Sequence, residues 1–155
     1  MTIQKTLNIK ERIMSEKVLI VDDEKEFIDA LGERMENRGM NVSTTTSPHE
    51  AIALVEKKSF DVVVLDLQMP EMDGLETLKI MKKKRPEIQV ILLTGHATVD
   101  KGIEAMKLGA MDLLEKPTQI SVLAEKIQKA QAKKMIIVEK AAQDRIQEII
   151  ESKGW

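Results

Sequence analysis

The chain has 155 residues, a formal charge of -2 from 24 basic and 26 acidic side chains, and no cysteine. That length suits one domain around a single core, and the near balance of charge gives no broad electrostatic footprint for nucleic acid or an anionic membrane. Without cysteine there is no disulfide framework, thiol catalysis or thiolate metal ligand, and no run approaches the roughly 20 apolar residues that span a bilayer.

Residues 1–16 carry charges throughout and lack the uninterrupted apolar stretch of a secretory signal. Cytoplasmic residence is therefore expected, in agreement with a cysteine-free composition. Ile3, Leu7 and Met14 trace a weak helical stripe. Residues 1–15 read as an extension, or a gene-start artefact, ahead of a compact domain over 16–131.

Within that domain, apolar runs of strand length alternate with segments of helical period. Strands are predicted over 17–21, 40–45, 61–65, 88–93 and 111–114, and helices over 24–37, 48–57, 75–84, 98–108 and from 120 onward. Gly39 follows the first helix, Ser47-Pro48 supplies an N-cap and first-turn proline for the second, and Arg85-Pro86 stops the third. Five such repeats are the signature of an α/β fold with a mainly parallel sheet. The basic run Lys82-Lys83-Lys84-Arg85 reads as a solvated helix end favoured by the helix dipole. His49 and His96 read as surface residues, and the ten methionines as core filler.

Beyond Gln131 the residues Met135, Ile137, Val138, Ala141, Ile146, Ile149 and Ile150 keep a spacing of three to four, with charges between them. Residues 132–155 are thus an amphipathic helical extension, continuous with Ile127 as one long helix or broken into two. Its stripe must find a partner surface: the domain itself, a second copy in a coiled coil, or another protein.

Crossover connections return each parallel strand in the same direction, so the carboxyl ends of all strands collect on one edge, where ligands bind. Asp66 closes the run Asp61-Val62-Val63-Val64-Leu65-Asp66, and Asp22-Asp23 closes Val18-Leu19-Ile20-Val21. Thr94 ends Val90-Ile91-Leu92-Leu93, and Lys116 follows the fifth run. Three gathered carboxylates raise one another's pKa unless a cation sits among them, and an oxygen-only donor set suits Mg2+ better than zinc. An ammonium, a hydroxyl and an acid-held cation together make a receptor for a transferring phosphoryl group. Asp66, on the longest β-branched run, is the candidate nucleophile, and Asp22 and Asp23 are better suited to hold metal.

Val21-Asp22-Asp23-Glu24, Asp66 followed by Met69-Pro70-Glu71-Met72-Asp73-Gly74, Thr94-Gly95, and Glu115-Lys116-Pro117 resemble the receiver domain of two-component response regulators. The stretch Gly95-His96-Ala97-Thr98 with Gly109-Ala110 is similar to receivers of the enhancer-dependent transcriptional activators. The resemblance implies a flavodoxin-like sheet of order 2-1-3-4-5 with helices on both faces. It implies that Asp66 accepts a phosphoryl group from a sensor histidine kinase or phosphotransfer protein. Asp23, Asp66 and the backbone carbonyl of Gln68 would ligate Mg2+, with Asp22 binding through water. Lys116 would contact the phosphoryl oxygens, Thr94 would swing toward them, and the Lys116-Pro117 bond gains a raised chance of being cis. Leu113 stands where this family often places an aromatic, three residues before the lysine.

These implications make the chain a phosphoacceptor signalling protein with only intrinsic self-phosphorylation and autodephosphorylation. A hydrolase of the aspartyl-phosphate type would want a second acid two residues past the nucleophile, where Gln68 stands. A degenerate receiver, acting as a constitutive dimerisation or protein-binding module, draws support from Leu113 alone. No helix-turn-helix, P-loop or cyclase motif follows Gln131, so a stand-alone receiver is expected, passing its output by contact to a target the sequence does not name.

Overall fold

The computed structural model describes residues 15–154, so the expected N-terminal extension lies, but for Ser15, outside the described residues. The elements run β1 Lys17–Val21, α1 Lys25–Glu36, β2 Asn41–Thr45, α2 Pro48–Lys57, β3 Val62–Leu65, α3 Gly74–Lys84, β4 Gln89–Thr94, α4 Val99–Lys107, β5 Asp112–Glu115 and α5 Ile120–Ser152. The five strands form one parallel sheet of order β2-β1-β3-β4-β5, the order the resemblance implies. Register aligns Val21 with Thr45 and Leu65, Leu65 with Leu92, and Thr94 with Glu115, which brings the strand ends level along one edge.

The central strand β3 is Val-Val-Val-Leu, buried throughout, as a parallel strand covered on both faces requires. Alternate residues feed two separate layers of core. Leu19, Val21, Val63, Leu65, Val90 and Leu92 pack with Ala51 and Val55 of α2, Leu78 and Met81 of α3, and Ala105 of α4. Val18, Ile20, Val62, Val64, Ile91 and Leu93 pack with Ile28 and Met35 of α1 and with Leu123, Ala124, Ile127 and Ala130 of α5. Each fully buried Val, Leu, Ile or Met side chain contributes about 1.5–3 kcal/mol.

Local chemistry sets the helix ends. Ser47 Oγ accepts from Glu50 N at 3.2 Å with Pro48 in the first turn, Asp73 from Leu75 N at 2.8 Å, and Thr98 from Lys101 N at 3.2 Å, caps worth about 1 kcal/mol each. Gly39 follows α1 at φ +88°, a left-handed turn that suits glycine. The basic run keeps its expected solvated state at Lys83 and Lys84 but not at Lys82 and Arg85. Lys82 is half-buried, and its Nζ donates to the carbonyls of Pro86 (2.9 Å) and Ile88 (2.8 Å), while Arg85 donates to those of Val55 and Glu56. Lys82 thus caps carbonyls of the loop after α3 and Arg85 caps those of the last turn of α2, a demand invisible in the run itself. Desolvation, and then the charge of Lys133, lower the pKa of Lys82.

Helix α5 is a single element of 33 residues. Its inner half closes the core, and at the sheet's lower edge Lys134 Nζ donates to Ser59 Oγ (2.9 Å) and to the Phe60 carbonyl (2.8 Å), with Asp61 Oδ1 3.4 Å away. Past that brace the helix does not turn back onto its own domain: Met135, Ile136, Ile137, Val138, Ile146 and Ile149 are all exposed. The 18 residues from 135 to 152 project about 27 Å. Ala124, Met135 and Ile146 recur every eleven residues, as do Ile127, Val138 and Ile149, so one register runs from the buried half into the exposed half.

Candidate functional site

The carboxyl ends of β1, β3, β4 and β5 converge as the strand pattern requires. Asp22 continues β1 and is buried; its Oδ1 accepts from Glu24 N at 3.0 Å and its Oδ2 from Lys116 Nζ at 2.6 Å. Asp23, its neighbour, is exposed. Asp66 follows β3, fixed by its own N–H to the Val21 carbonyl at 3.0 Å, and lies at the floor of the cleft, 7 % exposed. Carboxylate oxygens of Asp22, Asp23 and Asp66 all lie within 4.8 Å of one another.

The loop after Asp66 depends on a glycine. Gly74 N donates to the Leu67 carbonyl at 2.8 Å, folding the start of α3 back over the strand end. A Cβ at position 74 would stand 2.3 Å from the Asp66 carbonyl oxygen and 2.6 Å from Leu67 Cα. Both neighbours are backbone, so no side chain fits there.

Thr94 closes β4 fully buried, its hydroxyl accepting from His96 N at 3.2 Å and its carbonyl accepting from Lys116 N at 2.8 Å. The second bond hangs the Lys116-Pro117 turn, whose peptide is cis, on the end of β4. From there the lysine side chain, 18 % exposed, reaches in: its ammonium bonds Asp22, sits 3.8 Å from Asp66 Oδ2, and lies 4.1 Å from the centroid of the Phe27 ring.

The acids load the mouth of this cleft with negative charge. Asp23's pKa is raised, first by lost solvation, then by the charge of Asp22, with Asp66 adding to it. A carboxyl that resists ionisation beside two others, in a set offering only oxygen donors, fits a hard divalent cation such as Mg2+. Beside Asp23 a cleft of about 470 Å³ opens, lined by Leu67, Gln68, Met69, Pro70, Asp73, Leu75 and Lys101, which puts Gln68 next to the acids.

Asp22, Asp23, Asp66 and Lys116 thus meet, Thr94 joins them through its backbone bond to Lys116, and His49 and His96 have exposed side chains as expected. Leu113 packs half-buried against the α2–α4 side of the core, its Cδ2 3.4 Å from where a Cβ on Gly102 would stand. Two residues escaped the sequence reading. Lys101, in the first turn of α4, faces the cleft, and Phe27, in the first turn of α1, faces the lysine. Phe27 and Phe60 are the only phenylalanines in the chain, and that scarcity was the one signal available.

The sequence pattern of the response regulator receiver domain matches residues 18–128. The transcriptional regulatory protein ZraR of Salmonella typhimurium is 39% identical over 115 residues, covering 74% of this chain and 26% of that protein. A putative NtrX-like response regulator of Rickettsia typhi is 37% identical over 102 residues, covering 64% of this chain and 22% of the relative. The chain therefore spans about a quarter of the length of these curated relatives. Among solved structures, a response regulator receiver domain protein from Clostridium thermocellum superposes with TM-score 0.75 at 35% identity, covering 79% of this chain and 98% of that one. The beryllofluoride-activated NtrC4 receiver domain dimer gives TM-score 0.72 at 34% identity, covering 76% and 97%.

Proposed function

The chain belongs to the response regulator receiver family, and on that premise we propose that Asp66 is its phosphoacceptor in a two-component pathway, charged by a sensor histidine kinase or phosphotransfer protein. The observation that carries this reading is the convergence of Asp22, Asp23, Thr94 and Lys116 on Asp66 at one sheet edge. An oxygen of the Asp66 carboxylate attacks the donor's phosphorus. The P–N bond to the donor histidine breaks as the new P–O bond forms, and the imidazole keeps the electron pair. Lys116 moves from Asp22 to the phosphoryl oxygens, and Thr94 turns its hydroxyl from the His96 amide to the phosphate. Asp23, Asp66 and the Gln68 carbonyl would hold Mg2+, with Asp22 acting through water. At these residues Mg2+ would supply positive charge to offset that on the transferring oxygens.

Phosphorylation adds up to about two negative charges, and the paired inward movement of a hydroxyl and an ammonium is the local event that a bistable surface can amplify. The protein is read as a signalling component with intrinsic self-phosphorylation and autodephosphorylation. Residues 16–131 form the receiver and 132–155 the extension. The setting is read as cytoplasmic, and no described helix is long and apolar enough to cross a membrane. The complete acceptor set leaves the degenerate alternative without support. The exposed stripe of α5 supports a homodimer formed through that helix, with output passed to a further protein by contact.

Intact mass after incubation with acetyl phosphate tests the reading. A magnesium-dependent gain of one phosphoryl group that hydroxylamine removes is expected, and Asp66→Ala should abolish it while leaving the fold intact. A folded Asp66→Ala protein that still takes label would overturn the assignment.

A further inference from the structure

Lys116 is held on two sides by groups of different kinds. Asp22 offers a carboxylate at 2.6 Å, and Phe27 offers the face of its ring at 4.1 Å from the ammonium. We propose that Phe27 is a positioning residue for phosphoryl transfer: its ring is the uncharged wall along which the Lys116 ammonium passes from Asp22 to the phosphoryl group on Asp66. The proposal rests on the phosphoacceptor reading above.

The case begins with charge. Asp22, Asp23 and Asp66 already crowd three carboxylates into one cleft, and the incoming phosphoryl group adds more negative charge. Another acid beside the lysine would repel that group and fix the ammonium with a directional hydrogen bond. The face of an aromatic ring carries the negative end of a quadrupole, so it attracts a cation without adding net charge. The attraction is also broad. An ammonium 3.8 Å from Asp66 Oδ2 needs only a short displacement to reach an oxygen bonded to that carboxylate, and it can slide that far while keeping the ring beneath it.

Packing alone does not account for the residue. Phe27 is only partly buried against the α1–α5 layer of core, and its ring lines a small cleft of about 160 Å³ together with Leu31, Pro117 and Ile120. A partly buried place of this kind does not by itself call for an aromatic ring. Phenylalanine also occurs just once elsewhere in the chain, at Phe60.

The test replaces Phe27 by mono-, di- and pentafluorophenylalanine, which keep the ring's shape while draining its negative face, and by leucine and tyrosine. Rates of phosphate uptake from acetyl phosphate are read by intact mass, beside calorimetric Mg2+ affinity and thermal midpoint. The uptake rate is expected to fall stepwise with fluorination, to roughly a third to a tenth in the pentafluoro ring, the scale of a partly desolvated cation–π contact. Phe27→Leu should match the pentafluoro ring, Phe27→Tyr should match the unsubstituted protein, Mg2+ affinity should not fall, and the midpoint should drop by no more than the lost ring contact accounts for. A flat fluorine series in a protein that takes phosphate normally overturns the role of the ring and leaves the phosphoacceptor reading standing. Failure of the unsubstituted protein to take phosphate overturns both.

Discussion

The Asp66 carbonyl oxygen lies 2.3 Å from the point where a Cβ on Gly74 would stand. The end of β3 and the start of α3 are in backbone contact, so the loop between them has one admissible residue at its end. Gly74→Ala must push the loop off Asp66. Expected are a loss of about 1–3 kcal/mol, the usual scale for overpacking a tight site, and a thermal midpoint lower by several degrees, together with slowed phosphate uptake. A variant with unchanged midpoint and uptake would show the loop to be softer than its geometry.

Lys116 competes with any cation for the same acids. Its ammonium sits against Asp22 and near Asp66, so Lys116→Met makes the cleft more negative. Mg2+ affinity should rise, while phosphate uptake falls by about a hundredfold, the scale of removing one preorganised electrostatic contact. Titration calorimetry and intact mass read the two effects. Weaker Mg2+ binding in this variant would contradict the competition.

Asp23 makes stability depend on pH in a defined direction. Its folded pKa is raised, by lost solvation and then by Asp22, so the folded protein favours the protonated form. That advantage is present at low pH and lost as pH rises through the folded value. In chelator, Asp23→Asn should therefore raise the thermal midpoint at neutral pH, and the gain should vanish on acidification. Protons and Mg2+ seek the same oxygens, so Mg2+ affinity should begin to fall at a higher pH than for a carboxyl at its ordinary value. A midpoint gain that grows on acidification would reverse the sign argued here.

Val138 stands in the first turn of the exposed half of α5. Val138→Asp places a charge in the seam of the proposed dimer, where its desolvation should weaken self-association by about tenfold or more while leaving the folded domain as stable as before. Deletion of residues 135–155 should do the same. Sedimentation velocity measures both, and an unchanged profile would remove α5 from the dimer contact.

The strand ends, the acids on them and the long last helix were legible in the sequence, because apolar runs and their polar terminators are local patterns. The partition among the acids was not. Asp22 and Asp23 are adjacent and chemically identical, yet Asp22 is buried under Lys116, 94 residues away in sequence, while Asp23 stays exposed. Only the sheet register decides which of them the lysine reaches. Phe27 was hidden for the same reason, since its ring matters through Lys116 and not through any neighbour in the chain. Lys82 and Arg85 looked like a solvated run because their acceptors are backbone carbonyls of a folded loop and of the last turn of α2, which carry no signal in side-chain chemistry.

Lys134 gives α5 a second anchorage where it leaves the sheet. Ile127 and Val138 lie eleven residues apart on one unbroken helix, the first in the core and the second in solvent. Eleven residues make three turns of about 3.67 residues each, so the compass bearing of the outer stripe is dictated by the seating of the inner one. A partner gripping the outer half would be reading, at a distance, how the domain's own interior is packed.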